Sequence, residues 1–575
     1  MTRKRDSTDT NAIFLVDALR FSTVPLSLAE LDKTGGLSAG ACADWRLRTR
    51  RKGLGLSRGY VAVSKLLSRQ LSDFPLAKGH PLFKAESALA TKDLWDVDEA
   101  GPSNDLHPFI RRLFGADLWR TTSEPGQARP TRETLLLDIA AKQHGAFRAM
   151  PTLRLGDDAV NLLNGGFGRR GNGMCLTLGK RASARMGRQL GEEPAQVTLE
   201  IKGISLQLFG TGWAFMLTEL ECDAPGPVDE AAQVVQEVLH LLAHRRRKID
   251  AAAWQWARLD LRASPCPQIE AIAASLLEGS GIETTGADRV FSYTFLVGDG
   301  DPGQPALQSV GRRLACRFTE DYALEGAHPI VHAFQPFSNV LHTMSVEGGS
   351  LTVANAGQLE ILRDFIDKAR RVYLPLALLA HHEQQVLLAM TQDLVGFDVH
   401  ENDDSAVAES LRDLHRRMVQ FHLEYRFSVA SLLALHNEVH NTWRGALELD
   451  RLRTEASADV SEGEKVLTDQ IDRAHRRRSI MWDVCGASAG ALLVCLQISS
   501  TITAHVFGAN ADETIIQASN PMLSPQQRVE LVKRYKTTDD RKEFWERFGA
   551  GCSLTVAALA AAVARRAGQR RLFVK

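Results

Sequence analysis

Val484 to Ala511 reads VCGASAGALLVCLQISSTITAHVFGANA and contains no formally charged residue. A second uncharged run, FGAGCSLTVAALAAAVA, extends from Phe548 to Ala564. A helix needs about 17–25 predominantly apolar residues to cross a bilayer, and both runs reach that length. Arg473, Arg476, Arg477 and Arg478 precede the first run, and Arg565, Arg566, Arg570 and Arg571 follow the second. Basic residues beside spans stay on the cytoplasmic side, so residues 481–575 read as a transmembrane hairpin with both ends inside and a basic tail. Two buried core helices would give the same hydropathy. The second run is Ala-rich, and the first holds Ser488, Gln497, Ser499, Ser500, Thr501 and Thr503.

Wound as an α-helix, the first run aligns Asp483, Gly486, Gly490, Gln497, Thr501, His505 and Gly508 along one stripe. Polar groups facing lipid are costly, so the stripe faces another helix or water. Close helix packing through Gly486 and Gly490 is one reading. The other is a water-lined pore built from several copies, lined by Asp483, Gln497, Ser500, Thr501 and His505. One hairpin cannot enclose a pore, so conduction requires a symmetric ring of subunits.

The rest of the chain reads as a large body of ordinary globular composition, with 44% hydrophobic residues. Lys+Arg and Asp+Glu both number 69, so no global field favours nucleic acid, and none is expected as a partner. The eight cysteines form no CxxC pair, which removes zinc-ribbon and thioredoxin chemistry and suits a reducing compartment. The N-terminus has only the short apolar stretch Ala12 to Val16 and lacks the pattern of a signal peptide. The expectation is a multi-pass protein of the inner (cytoplasmic) membrane with its N-terminal body in the cytoplasm.

Within the body, residues 1–150 form a mixed region with a basic stretch, Arg46 to Arg58. Residues 151–357 read as a β-rich α+β domain. Gln196 to Asp223 predicts two strands around a turn, with Val197, Leu199 and Ile201, then Ile204, Leu206 and Leu208, alternating and Gly210 and Gly212 at the turn. A helix is predicted from about Asp229 to Arg247, and further strands at VFSYTFLV, PIVHAF and SVEGGSLTV. Residues 358–480 read as a helical stalk, with Pro375 as a boundary or kink. The fold class is therefore an α+β (or α/β) cytoplasmic body, a long helical stalk and two C-terminal transmembrane helices.

Catalytic motifs are incomplete, and no enzyme activity is expected. Gly166 to Gly171 matches GxGxxG, but the following MCLTLGKR reads as a strand rather than the helix a dinucleotide site needs. His436 and His440 stand four apart, but Asn437 occupies the place of the zincin glutamate, so both read as ordinary helix polar groups. Gly486 to Gly490 matches GxSxG, and its letters resemble the nucleophile elbow of patatin-like lipases. Ser488 then lacks a base, because no histidine follows His505 and no Asp-Gly follows the motif.

The layout of a large N-terminal body, a long helix into the first span, two C-terminal spans and a basic tail resembles the CorA-type magnesium channels and transporters. LQLFGTGWAFMLTELE, PFSNVLHTMSVEGGSLTV and YRFSVASLLALHNEVHNTWRGALELD also resemble segments of uncharacterised CorA-like bacterial membrane proteins. The family's Gly-Met-Asn at the pore mouth corresponds here to Gly508-Ala509-Asn510, directly after His505-Val506-Phe507. Ala509 stands where the family has Met, and the segment between the runs is longer than the family's turn. The resemblance implies a pentameric ring in lipid, with Gly508, Ala509 and Asn510 at the mouth and the Asn510 amide as the metal-facing group. No resident cofactor is expected beyond a divalent cation such as magnesium. The resulting expectation is an oligomeric membrane protein conducting or gating cations. The alternatives are a membrane-anchored, defence-type effector whose body binds a small-molecule regulator or partner, and a non-conducting scaffold.

The hairpin fixes a testable topology. Single cysteines introduced at Asn520 and Lys575, in a chain stripped of native cysteines, should react differently with an impermeant thiol reagent in intact cells. Equal labelling at both positions would remove the hairpin.

Overall fold

The structure is a computed structural model. It describes residues 11–20, 25–26, 56–76, 90–98, 101–115, 150–165, 173–177, 196–222, 224, 227–242, 254–256, 268–285, 290–298, 302–317, 331–354, 366–395 and 404–463, with short stretches between 465 and 547. Two compact units are present, residues 1–396 with 414–459 and residues 397–413 with 460–575.

The first unit has mixed α+β content built on a twelve-stranded sheet. Its strands are β1 (Asn11–Arg20), β2 (Trp95–Val97), β3 (Leu153–Leu155), β4 (Met174–Thr177), β5 (Gln196–Leu208), β6 (Trp213–Cys222), β7 (Trp254–Trp256), β8 (Glu283–Thr284), β9 (Phe291–Val297), β10 (His332–Phe337), β11 (Val340–Met344) and β12 (Gly348–Val353). The main path runs β10-β11-β12-β9-β1-β6-β5-β3-β2, with β8 on β1 and β4 bridging β5 and β7. Only β9 and β12 pair in parallel on that path. The Ala12 to Val16 stretch lies in the middle of the sheet. It pairs with β6 on one side and β9 on the other, and both of its faces are buried.

The expected hairpin of β5 and β6 forms, turning through Phe209 to Gly212, where Gly212 has φ 91°. Its register shifts between Ile201 and Gly203, a bulge that lets Ile204 resume the alternation on the buried face. MCLT is a strand, as its sequence suggested, and the PIVHAF-to-LTV region makes the three-stranded meander β10 to β12.

Pleating divides the sheet into two faces. Ile13, Leu15, Leu206, Met216, Leu220, Leu296 and Leu341 enter one core with α1 (Arg58–Leu67), α3 (Asp157–Leu163), α4 (Val228–Leu242), α5 (Ile269–Leu277) and α6 (Gly303–Cys316). A short helix, α2 (Pro108–Leu113), precedes α3 in the chain. The opposite face carries Phe14, Phe215, Phe291, Tyr293 and His342. It is covered by α7 (Leu374–Val395) and α9 (Ala434–Ala446), whose His381 and Trp443 rings lie against Phe291 at 4.5 and 5.4 Å. Between them in sequence lies α8 (Asp404–Tyr425).

The region expected as a stalk therefore divides. α7 and α9 belong to the sheet-bearing unit, and a turn at Leu447–Glu448 separates α9 from a further helix over 449–463. In the second unit, every described residue from 465 to 497 is helical and exposed. Among the described residues, no helix is long and apolar enough to cross a membrane. Most of the two uncharged runs lies outside those residues.

The face under α9 is closed by a missing side chain. A Cβ on Gly349 would sit 2.6 Å from Cη2 of the fully buried Trp443. Gly349→Ala is expected to lower stability by about 1–3 kcal/mol through overpacking, read as a lower melting temperature. A second change, Trp443→Leu, should recover part of that loss relative to Trp443→Leu alone.

Candidate functional site

The site begins with one proline. Pro375 sits in the second position of α7 and has no N–H, so the Arg371 carbonyl four residues earlier loses its α-helical donor, and the proline ring crowds it. The chain responds with a π-helical turn, Ala369–Tyr373, in which the Leu374 N–H reaches back to the Ala369 carbonyl. The orphaned Arg371 carbonyl accepts instead from the Ser103 N–H at 2.9 Å. That bond fastens the 101–106 loop to the helix. The loop is held at its other end by Ser431, whose hydroxyl donates to the Asp105 carbonyl at 2.7 Å.

Beneath this turn lies a cleft of about 440 Å³, inside the range of small-molecule sites, roughly 300–1,000 Å³. Its floor is the helix-covered sheet face: Phe14, Leu217, Gly203 and Ser205. The helix wall is Leu374, Pro375 and Leu378, and the inner end is Phe114, Thr152 and Gln207. Gln207 is buried but satisfied: its carbonyl oxygen accepts from the Thr152 hydroxyl, and its amide donates to the Leu208 carbonyl at 3.1 Å. Charge gathers on the walls. Arg154 and Lys202 come from strands, Arg370 and Arg371 from the π-turn, with Asp98, Glu219 and Asp367 among them.

These charges are held in place by pairs. Arg370 Nε donates to Glu219 at 2.7 Å. Lys202, at the bulge, is 2.9 Å from Glu200 and also pairs with Glu221. Arg371 lies 3.7 Å from Asp367, and Arg154 lies 3.3 Å from Asp157. All are partly exposed, where such pairs are worth about 0–1 kcal/mol.

Beside the cleft, α7 drives a run of polar side chains into the unit. The His382 ring stacks on Phe209 at 4.1 Å, and its Nε2 is 2.7 Å from the Thr211 hydroxyl in the β5–β6 turn. His342 lies edge-on to Tyr373 at 4.8 Å. Desolvation holds His381 down at about 4 and His382, His342 and His440 at about 3. These imidazoles are therefore neutral. His436 and His440, expected as ordinary polar groups of a helix, are both buried in this layer. Among the described residues, no group of three or more His, Cys, Asp or Glu is arranged to hold a metal ion.

Next to His382 on α7, Glu383 is the inner end of an ion network. Arg444 Nη1 donates to Glu383 at 3.0 Å, and its Nη2 donates to Asp450 at 2.8 Å. Arg453 also donates to Asp450. The Glu383 and Arg444 side chains are only 3% and 11% exposed. Burial pushes the Glu383 carboxyl up, while Arg444 and Arg453 oppose that shift. The network straps α9 to the next helix across Glu448, a non-glycine residue at φ 50°. The helix leaving the sheet-bearing unit is thereby tied to α7, whose first turns line the cleft.

Of the residues expected to line a pore, Asp483 and Gln497 are helical and exposed. Ser500, Thr501, His505, Gly508, Ala509 and Asn510 lie outside the described residues, as does the Gly166–Gly171 motif. Around the GxSxG letters, the described residues 485–487 and 489–490 are helical, whereas a nucleophile elbow has a strand and a sharp turn before its helix. Sequence reading missed Arg370, Arg371, Lys202 and Arg154. Its usable signals were Pro375 next to an Arg pair, and the alternation in β5, which slips phase between Ile201 and Ile204. Comparison of the chain with known protein families, curated proteins and solved structures found no match.

The buried imidazoles make the protein acid-sensitive. Unfolded histidine binds a proton near pH 6.5, whereas His381 in the fold does so only near 4. The stabilisation is complete above about pH 6.5 and is lost as pH falls toward 4, because the unfolded state takes up more protons in that window. Melting temperature should drop across it, and His381→Gln should make the drop shallower.

Proposed function

We propose that this chain is a membrane-anchored homo-oligomer. Its body takes a small ligand in the cleft under Pro375, and its two C-terminal runs cross the bilayer. The observation that carries this reading is the path of the helix after Glu448. It is strapped to the cleft-bearing unit through Arg444, Asp450 and Arg453. Every described residue from 449 to 497 is then helical, leading into the charge-free segment. Ile480, Trp482 and Leu493 on it are 60%, 75% and 63% exposed. Apolar surface of that extent calls for lipid or a second copy to cover it.

A second reading, cation conduction through a ring, is favoured by the stripe. Asp483, Gly486, Gly490 and Gln497 are all helical and exposed, and so available to face a lumen. In a pentamer, the first run would line the pore with Asp483, Gln497, Ser500, Thr501 and His505. Gly508, Ala509 and Asn510 would form the mouth for a divalent cation such as magnesium. The large body would lie on the cytoplasmic side of the inner membrane.

The detergent-purified full chain is expected to sediment as a homo-oligomer and to float with liposomes. Deletion from residue 480 onward should leave a folded protein in the aqueous phase. A full-length chain that stays monomeric and fails to float would defeat both readings. Cation flux in liposomes decides between them. Asn510→Ala and Gln497→Leu should change flux in intact rings if the protein conducts, and no flux at all should be seen if it only senses.

A further inference from the structure

We infer that a small inorganic anion, chloride or phosphate, binds where the end of α8 meets the helix over 449–463, held by Arg453, His422 and Arg426. This site lies outside the cleft and does not depend on the cleft taking a ligand.

The argument starts from a charge count. Three guanidinium groups, Arg426, Arg444 and Arg453, act on the same two carboxylates, Glu383 and Asp450. Two of the three occupy both carboxylates. Arg444 spans them, at 3.0 Å to Glu383 and 2.8 Å to Asp450, and Arg453 Nη2 shares Asp450. The guanidinium of Arg426 makes no ion pair or hydrogen bond among the described residues. One positive charge is therefore left over, whereas Arg154, Lys202, Arg370 and Arg371 in the cleft each have a carboxylate.

Orphaned atoms mark the place. Arg453 Nη1 is buried without a hydrogen-bond partner, on a side chain only 12% exposed. His422 Nε2 is also buried and unpartnered. The two groups are neighbours. Burial first, then Arg453 and Arg426, hold the His422 imidazole below its ordinary pKa, and no carboxylate opposes them. Arg426 follows His422 by one helical turn, and its N–H donates to the His422 carbonyl at 3.3 Å, so the two side chains leave the end of α8 on one side. A guanidinium arm only donates, and a neutral imidazole donates from Nε2 in one of its tautomers. A buried charged donor without an acceptor is costly, more so than a neutral one. An anion accepts from both atoms and cancels the surplus charge. A water bridging them would leave that charge in place. Two orphaned atoms and one exposed arginine make a small site, which suits an inorganic ion.

The position gives the ion a role. Arg453 stands on the helix that leaves the sheet-bearing unit, just past Glu448, whose φ of 50° is uncommon for a residue with a side chain. A bound anion fastens α8 to that helix beside the strap made by Arg444. The supply of the anion then sets how firmly the outgoing helix is held.

The test follows the melting temperature of the full chain in detergent. Sodium gluconate, too bulky for the site, is replaced at constant ionic strength by sodium chloride or sodium phosphate. At least one of the two should raise the melting temperature along a saturating curve, and the lower midpoint identifies the ion. Arg453→Lys keeps the charge beside Asp450 but removes the spare arm. Arg426→Gln removes the unpaired charge at an exposed position. Each should raise the midpoint by about tenfold or more. Arg112→Gln, at an exposed arginine of α2, should leave it unchanged. If Arg453→Lys does not fold, Arg426→Gln decides alone. Should neither salt give a saturating rise, water fills the gap and the inference is overturned. Equal midpoints in wild type and both site variants place the ion elsewhere and overturn it too, as does a similar shift in Arg112→Gln.

Discussion

The sheet-bearing unit depends on the pairing of one strand. Asn11–Arg20 is bonded along its length to Trp213–Cys222 and, over Ala12 to Val16, to Phe291–Val297. Its side chains are buried on both faces, so neither face can be left to water. Every helix of the unit then has a side to fill. α1 and α3 to α6 supply one cover from residues 58–316, and α7 and α9 supply the other from beyond residue 370. The N-terminal strand and the late helices are thus parts of a single folding problem.

The cleft follows from an imperfection in the second cover. A regular helix would lie flat on the β1, β5 and β6 surface. Pro375 prevents this, and the π-turn before it lifts Arg370 and Arg371 beside the sheet. The bond from Ser103 to the Arg371 carbonyl offsets the lost helical bond and brings in the 101–106 loop as a side wall. On the sheet, the bulge at Lys202 and the absent side chain at Gly203 leave the space open. Each irregularity costs stability locally, and the four together make one concave, charged surface.

The same helix that roofs the cleft also reaches the way out of the unit. Glu383 lies five residues past Leu378 on the same helix, and its buried charge requires Arg444. Arg444 in turn holds Asp450, on the helix that continues toward residues 480–497. Rigid packing transmits displacement well, since close-packed interiors have few voids to absorb it. A ligand in the cleft would press on Leu374 or Leu378, on the same helix as Glu383, and this supports the proposed sensor reading.

Local pattern was enough for several elements. Period-two alternation at Val197, Leu199 and Ile201, then at Ile204, Leu206 and Leu208, marked the hairpin of β5 and β6. Pro375 was legible as a break. These features depend on neighbours a few residues apart, so the sequence by itself determined them. The cleft was not legible, because Arg154, Lys202 and Arg370 are far apart in the chain and each looks like any solvated charge. The region 358–480 read as a helical stalk because it turns apolar and helical from about 358 and is nearly free of glycine and proline over 406–478. Yet α7 and α9 cover the second face of a sheet formed elsewhere in the chain. Long-range burial decided that: Phe291, Tyr293 and Trp443 can leave water only against one another, a contact no local spacing encodes.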